Sequence, residues 1–288
     1  MPSAKTPRSK RKTRKSKTRK ANSVSPQTNL FSTFMNAVMD GKLNAVKRLV
    51  RKNVFEHPVA KKKCDDLAKV SIHLLLRARN EMEKQRRIKI FEILAREEEL
   101  FDFTPNNIPH NAFPDSWKIP ILFETLIDRG FDINTQDDEK NTILILVVAA
   151  ATLEEEGANF NQTQYTRLIN QLFDLGGDVN IQNDFGLDAV MIAGGHLGVE
   201  EYFGVNAVPN VHYLKLILDN LKKRKLRYNI YENKAAEVND ANADEYTLLE
   251  EYSYMQDNDM TDEYREAKKL LTDYEKILAK PTKSATRR

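Results

Sequence analysis

The chain has almost no cysteine and no apolar run long enough to span a membrane. Among its 288 residues there is one cysteine, Cys64, so neither an internal disulfide nor a cysteine-based zinc site can form. The apolar run at residues 143–151 has nine residues, whereas a membrane-spanning helix needs about 18. The N-terminus lacks the hydrophobic segment of a secretory signal. We therefore expect an intracellular chain without membrane contact, in the nucleus or the cytoplasm.

Nor does the sequence contain a recognisable catalytic or metal-binding constellation. Its five histidines show no i, i+4 pairing. Cys64 stands at a predicted helix start, where a thiol can be activated, but a small residue at a helix end is the simpler interpretation. Residues 194–198 resemble a phosphate-binding loop, yet they follow a predicted helix and lack the Walker lysine, which indicates a helix end and turn. We predict a non-enzymatic protein without cofactor or metal.

What the sequence does contain is a strong charge asymmetry. Residues 1–20 carry ten Lys or Arg and no acidic residue, whereas residues 21–288 carry 35 basic and 42 acidic residues, a net charge of −7. The overall charge of +3 therefore hides a strongly basic tail on a mildly acidic body. A block of like charges with almost no apolar residue cannot collapse, so we predict that residues 1–29 are disordered.

A tail of this charge density predicts nuclear import or electrostatic contact with nucleic acid, and a merely solubilising tail is the alternative. Without aromatic residues between the charges it offers no stacking platform, so binding should be indifferent to base sequence. The candidate residues, within residues 5–20, are Lys10, Arg11, Lys12, Arg14, Lys15, Lys17, Arg19 and Lys20.

Hydroxyl groups stand among and beside these charges. Each phosphate added there would subtract about two charges and weaken both roles of the tail. The candidate phosphorylation sites are Thr6, Ser9, Thr13, Ser16, Thr18 and Ser25.

Two stretches of the body share one local pattern, Asp-Ile-Asn at residues 132–134 and Asp-Val-Asn at residues 178–180. Each follows an apolar helical segment and a glycine, and each precedes a polar turn and a second apolar run. The two asparagines are 46 residues apart, and so are Thr142 and Asp188. Self-similarity at a fixed period predicts a solenoid whose units bury their apolar faces against one another.

These units resemble the ankyrin repeat. Residues 178–180 match the Asp-Val-Asn turn of that family, with Gly177 before it and Gly186 in the hairpin glycine position. The earlier unit keeps Gly130 and Thr142, and residues 37–50 resemble the family's helix-turn-helix stretch. The resemblance covers residues 31–53 and 119–221; it departs in that Thr-Pro-Leu-His is nowhere intact and one unit spans 46 residues, against about 33 in the ordinary repeat. The degenerate spelling with a basic tail resembles the ankyrin proteins of large DNA viruses or protists, in which case the compartment is that of a host cell.

Helical periodicity predicts about six helix pairs in an all-α, ankyrin-like solenoid with hairpin-like turns. Apolar stripes run from Phe31 to Met39 and from Tyr165 to Phe173, and helix pairs are expected at residues 67–97 and 247–279. Residues 102–118, with three prolines, should form neither a regular helix nor a central strand. We divide the chain into a basic tail (residues 1–29), a repeat domain (30–280) and a short C-terminal tail (281–288).

The resemblance implies a monomeric protein-protein interaction scaffold whose hairpin tips and inner helices form a concave binding surface. The acidic character of the tips predicts a basic or polar partner. Phe185 is either a binding anchor or a packing residue of the neighbouring hairpin, and Trp117 can equally cover an apolar edge. The alternative function is a nucleic-acid-associated, virion- or chromatin-packaged protein tethered by its tail. The predicted tip residues are Asp137, Asp138, Glu139, Lys140, Asp184 and Phe185.

Overall fold

A computed structural model describes residues 26–51, 60–97, 101–108, 110–152, 161–203, 208–230, 233, 247–255 and 260–278. Within these ranges the regular elements are helices and no strand occurs, which confirms the all-α class. Two short 3-10 helices lie at residues 110–112 and 114–118. The α-helices are α1 (Pro26–Met39), α2 (Leu43–Val50), α3 (Ala60–Leu76), α4 (Glu81–Arg96), α5 (Pro120–Asp128), α6 (Ile143–Thr152), α7 (Gln162–Asp174), α8 (Ala189–Ala193), α9 (Leu197–Phe203), α10 (Val211–Arg224), α11 (Leu248–Tyr254) and α12 (Asp262–Leu278).

The helix starts and ends follow local sequence signals. Thr142, Asp188 and Thr247 each stand immediately before a helix (α6, α8 and α11), and each side chain accepts a backbone N–H from the helix that follows. Glycines in the left-handed region of backbone space follow α1 and α8, at Gly41 and Gly195. A helix commonly terminates at such a residue because glycine reaches this conformation without a steric penalty.

The helices pack in two rows. In one row α1 contacts α3, and α6 contacts α8. In the other α2 contacts α4 and α4 contacts α5, and further along α7 contacts α10, which contacts α12. Helices that are adjacent in the chain pack against each other across the two rows: α1 contacts α2, and α3 contacts α4. The pair α11–α12 lies within one residue of its predicted ends, whereas in the predicted pair at residues 67–97 α3 begins at Ala60, seven residues earlier than expected.

An asparagine side chain joins the turn after α5 to the turn after α7. The Asn134 amide nitrogen donates to the Gly176 carbonyl at 3.2 Å, and its amide oxygen accepts from the Asp178 N–H at 2.8 Å. These backbone groups follow a helix end and need partners from elsewhere. One side chain therefore fixes the position of the next turn.

Asn180 repeats this arrangement one step further along the chain. Its amide nitrogen donates to the Arg227 carbonyl at 2.9 Å, and its amide oxygen accepts from the Asn229 N–H at 2.7 Å. Residues 227–229 thus present the same backbone groups as residues 176–178, a correspondence that the sequence comparison did not reveal.

The predicted apolar stripes supply most of their residues to the core, with Met35 half-buried and Met39 exposed. All five stripe residues of α7, from Tyr165 to Phe173, are buried, and so are residues 143–151 apart from the half-buried Leu146. Trp117 is buried with its ring 6.2 Å from that of Tyr165, so it covers an apolar edge. Met39, the last residue of the α1 stripe, is instead 50% exposed. It belongs to the final turn of the helix, where the chain turns away into α2.

The tail lies almost wholly outside the described residues. Helix α1 begins at Pro26, four residues inside the predicted tail of residues 1–29. Residues 281–288 are also outside the described ranges. The tail candidates therefore stay predictions: Lys10, Arg11, Lys12, Arg14, Lys15, Lys17, Arg19, Lys20, Thr6, Ser9, Thr13, Ser16, Thr18 and Ser25.

Truncation of Leu172 should test the core of α7. The side chain is fully buried, so Leu172→Ala should lower the free energy of unfolding by about 2–5 kcal/mol, through lost burial and the cavity left behind. Urea unfolding followed by circular dichroism measures the change. Leu175→Ala is the matched control, because Leu175 directly follows the same helix and has 39% of its surface exposed. Equal curves for the two variants would show that this face of α7 is not core.

Candidate functional site

The two predicted hairpin tips close in the same way. The Asp137 N–H donates to the Asn141 carbonyl and the Asn183 N–H to the Leu187 carbonyl, each at 3.0 Å. The Asp137 carboxylate accepts two N–H groups of its own turn at 2.8 and 2.9 Å, and the Asn183 side chain accepts the corresponding pair at 3.0 Å. Asp137 and Asn183 are 46 residues apart. The spacing found in the sequence is therefore accompanied by equivalent hydrogen bonds.

The two tips contact each other and form one surface. The Asp184 N–H donates to the Glu139 carbonyl at 3.0 Å, and Lys140 forms an ion pair with Asp184. Below them the buried Asn183 amide donates to the buried Asn141 side chain at 3.0 Å. These contacts bring the predicted tip residues together. We call them the hairpin-tip surface: Asp137, Asp138, Glu139, Lys140, Asp184 and Phe185.

Lys140 occupies the position that Gly186 takes in the second tip. Their φ angles are 60° and 75°, both in the left-handed region. For a residue with a Cβ this conformation costs roughly 1–2 kcal/mol. The ion pair with Asp184 joins side chains that are 62% and 40% exposed, and such surface pairs contribute about 0–1 kcal/mol. Local stability therefore does not account for a lysine here.

A residue that the sequence analysis missed completes this surface. Tyr202, in the last turn of α9, places its ring 4.2 Å from that of Phe185. Its hydroxyl donates to the Glu139 carboxylate and accepts from the Asn141 amide at 3.0 Å. These partners are 17 to 63 residues away in the chain. The available signal was the extra length between Gly194 and Pro209, which carries α9 to the tips.

Burial and neighbouring acids keep the Tyr202 hydroxyl protonated. Burial is the largest cause that raises the pKa of Tyr202 to about 12. The Asn141 hydrogen bond lowers the pKa, while the charges of Glu139 and Asp137 raise it. At neutral pH the phenol is thus a hydrogen-bond donor to Glu139.

Phe185 is half-buried, and its ring packs against that of Tyr202 in α9. It therefore has a packing role within the chain. Its role as a binding anchor stays a prediction.

Directly after the second tip, Asp188 is a buried ionisable group. One carboxylate oxygen caps α8 by accepting the Val190 and Met191 N–H groups at 2.8 and 2.9 Å. The other accepts from the Tyr228 hydroxyl at 3.0 Å and the Asn233 amide at 2.7 Å. Complete burial outweighs these four hydrogen bonds and raises the pKa of Asp188 to about 6.

The remaining sequence candidates lie apart from this surface. Cys64 is buried within α3. Residues 194–196 form the turn that follows α8, as predicted, and residues 197–198 already belong to α9. In the part of the chain that the structure describes, no three His, Cys, Asp or Glu side chains are grouped to hold a metal ion. None of the described helices has both the length and the apolar character that crossing a membrane requires.

No protein-family model matches the chain, and no curated protein sequence matches it.

The buried Asp188 predicts an unusual pH dependence of stability. Because its folded pKa is raised to about 6 from an ordinary 3.8, its contribution to stability is fully present below about pH 4 and is lost as the pH rises through 6. This loss amounts to about 2–3 kcal/mol. Asp188→Asn removes this titration. The unfolding free energy of wild type minus that of the variant should therefore fall between pH 4 and pH 7.

Urea unfolding at four pH values across this range measures the effect. Comparison with the variant cancels the opposite trends of other carboxylates. Asp219→Asn, which alters an exposed carboxylate of α10, should follow wild type. A constant difference between wild type and Asp188→Asn would show that Asp188 does not titrate in this range.

Proposed function

We propose that the body of this chain is an ankyrin-like, non-enzymatic scaffold that binds another protein through the hairpin-tip surface. The observation that carries the proposal is the equivalence of the two tips. They lie 46 residues apart, close with the same hydrogen bonds and join into one surface. Tips aligned in this way are what an ankyrin-like stack presents to a partner.

The helix packing supports a stack. Helix α1 packs on α3, α6 on α8, α2 on α4 and α7 on α10. Asn134 and Asn180 carry the same cross-connection from one turn to the next. In such an assembly a unit cannot bury its apolar face alone and gains stability from its neighbours.

The chemistry of the tips favours a basic or polar partner. Asp138 is exposed, and the surface contains four acidic residues and one lysine, which is already paired with Asp184. Phe185 and Tyr202 add aromatic area beside these charges. Aromatic residues next to charged groups are common where binding energy concentrates.

Charge reversal at one tip tests the proposal. Asp138→Lys should weaken complex formation by roughly tenfold or more, because it places like charge against a basic partner. Full-length protein, Asp138→Lys and Asp219→Lys are each used to capture cross-linked partners, and the affinity of the recovered partner is then measured with purified components. Asp219 is an exposed acid on α10, outside the hairpin-tip surface, so its charge reversal should leave binding unchanged. A partner that is equally sensitive to both reversals, or to neither, would contradict the assignment of this surface.

A second candidate function is supported by the charge of the tail. Ten basic residues without an acid stand on a body of net charge −7. We propose that residues 5–20 contact nucleic acid or an import receptor, so that the protein is nuclear or is packaged with nucleic acid. The acidic body alone should be repelled by phosphate backbones.

Deletion of residues 1–20 separates the tail from the body. If the tail makes six to ten phosphate contacts, full-length protein should lose about 10³–10⁵ in affinity for duplex DNA between 50 and 200 mM salt. The deleted form should show no measurable binding, and a fluorescent fusion of it should not accumulate in the nucleus. Fluorescence anisotropy with a labelled duplex gives the salt slope. Steep salt-dependent binding by the deleted form would assign the activity to the body instead.

A further inference from the structure

Tyr202 reaches the hairpin-tip surface from outside the main helix packing. Helix α9 makes none of the substantial helix-helix contacts found in the described chain. The segment that carries it leaves and rejoins the fold at one place, since the Asn210 N–H donates to the Ala193 carbonyl at 2.8 Å. The backbone of Pro209 passes so close to Gly195 that a Cβ there would lie 2.6 Å from the Pro209 nitrogen. The two described ends of this segment, at residues 193–195 and 208–210, thus lie side by side between α8 and α10.

The two ends of α9 are held differently. Near its start His196 is buried, with one ring nitrogen 3.3 Å from the Glu251 carboxylate and the other 3.0 Å from the Gly198 nitrogen. Val199 is also buried. Near its end Tyr202 is only half-buried, against the tips. The start of α9 is therefore more deeply packed than the turn that carries Tyr202.

The groups around Tyr202 form a slot for a phenol. Phe185 supplies a ring against which an aromatic side chain packs, and Glu139 supplies an acceptor at its edge. Asn141 forms the floor: it is 1% exposed, its amide oxygen accepts from Asn183, and its amide nitrogen donates to the Tyr202 hydroxyl at 3.0 Å and to the Asp137 and Glu139 carboxylates at 3.3 Å. A ring that carries a hydroxyl group can both donate to Glu139 and accept from Asn141, so the slot prefers a phenol over a plain aromatic ring.

We propose that the slot formed by Phe185, Glu139 and Asn141 is where the partner inserts a tyrosine side chain, and that Tyr202 occupies it as an internal stand-in which the partner displaces. This inference rests on the proposed scaffold function and specifies the chemistry of the contact. It commits the partner to an exposed tyrosine. It also makes the free protein self-occluded, so that binding affinity is reduced by the fraction of time for which Tyr202 fills the slot.

The test uses 4-methylphenol, the side-chain analogue of tyrosine, with toluene as the analogue that lacks the hydroxyl group. Full-length Tyr202→Ala should bind 4-methylphenol with about millimolar affinity, as expected for a ligand of this size. Amide chemical shifts of residues 139–141 and 184–186 report the binding in heteronuclear NMR spectra. Wild type should bind at least tenfold more weakly because Tyr202 competes, and toluene should bind the variant several-fold more weakly than 4-methylphenol.

Two further variants keep the test decisive if Tyr202→Ala disturbs α9. Tyr202→Phe retains the ring but not the hydroxyl, so it should admit 4-methylphenol with an affinity between those of wild type and Tyr202→Ala. Adding Phe185→Ala to Tyr202→Ala should abolish the binding. The proposal is overturned by equal affinities in wild type and Tyr202→Phe, by equal binding of toluene and 4-methylphenol, or by shifts located away from the tips.

Failure here is distinguishable from failure of the scaffold proposal. If Asp138→Lys loses a captured partner but 4-methylphenol does not bind the slot, the surface stands and the tyrosine inference is rejected. If 4-methylphenol binds as expected and Tyr202→Ala binds the captured partner more tightly than wild type, both stand. A slot that binds 4-methylphenol while no partner depends on the tips rejects the scaffold and the displacement alike.

Discussion

The arrangement of this molecule depends on side-chain amides that satisfy the backbone of the next turn. The turn that follows a helix contains carbonyl and N–H groups that the helix does not pair, and these groups must be paired elsewhere. Asn134 and Asn180 each bond a carbonyl and an N–H that are two residues apart in the following turn. An amide suits this task because a single planar group carries both a donor and an acceptor. Aspartate at these positions would lack the donor.

Because each asparagine acts on the turn that follows, the position of one hairpin determines that of the next. Asn141 and Asn183 continue this coupling under the tips, where both are buried. The outer residues Asp138 and Asp184 then project from a supported base. A surface supported in this way can change its exposed residues at little cost in stability, which is the property that a binding surface requires.

The helical core followed from the sequence because periodicity reports burial directly. The stripe of α7 is buried because its residues recur at the spacing of one helix face. Comparing the sequence segments did not reveal the third turn, at residues 227–229, because it contributes backbone groups, which any residue can supply. The sequence comparison did not find Tyr202 because its contacts join residues up to 63 positions apart, through the segment that follows α8. Local patterns contain no information about where such a segment returns.

Asp188 and Tyr202 show how burial determines whether a polar residue supports the structure or remains exchangeable. Asp188 is fully buried and accepts four hydrogen bonds from three directions, so its removal would leave several donors unpaired inside the protein. Tyr202 is hydrogen-bonded to Glu139 and Asn141 at a half-buried position, where water or another phenol can replace it at lower cost. The same kind of contact therefore fixes the fold at one site and leaves the other open to competition. This difference in burial is why we assign the partner contact to the tips and a structural role to the carboxylate just beyond them.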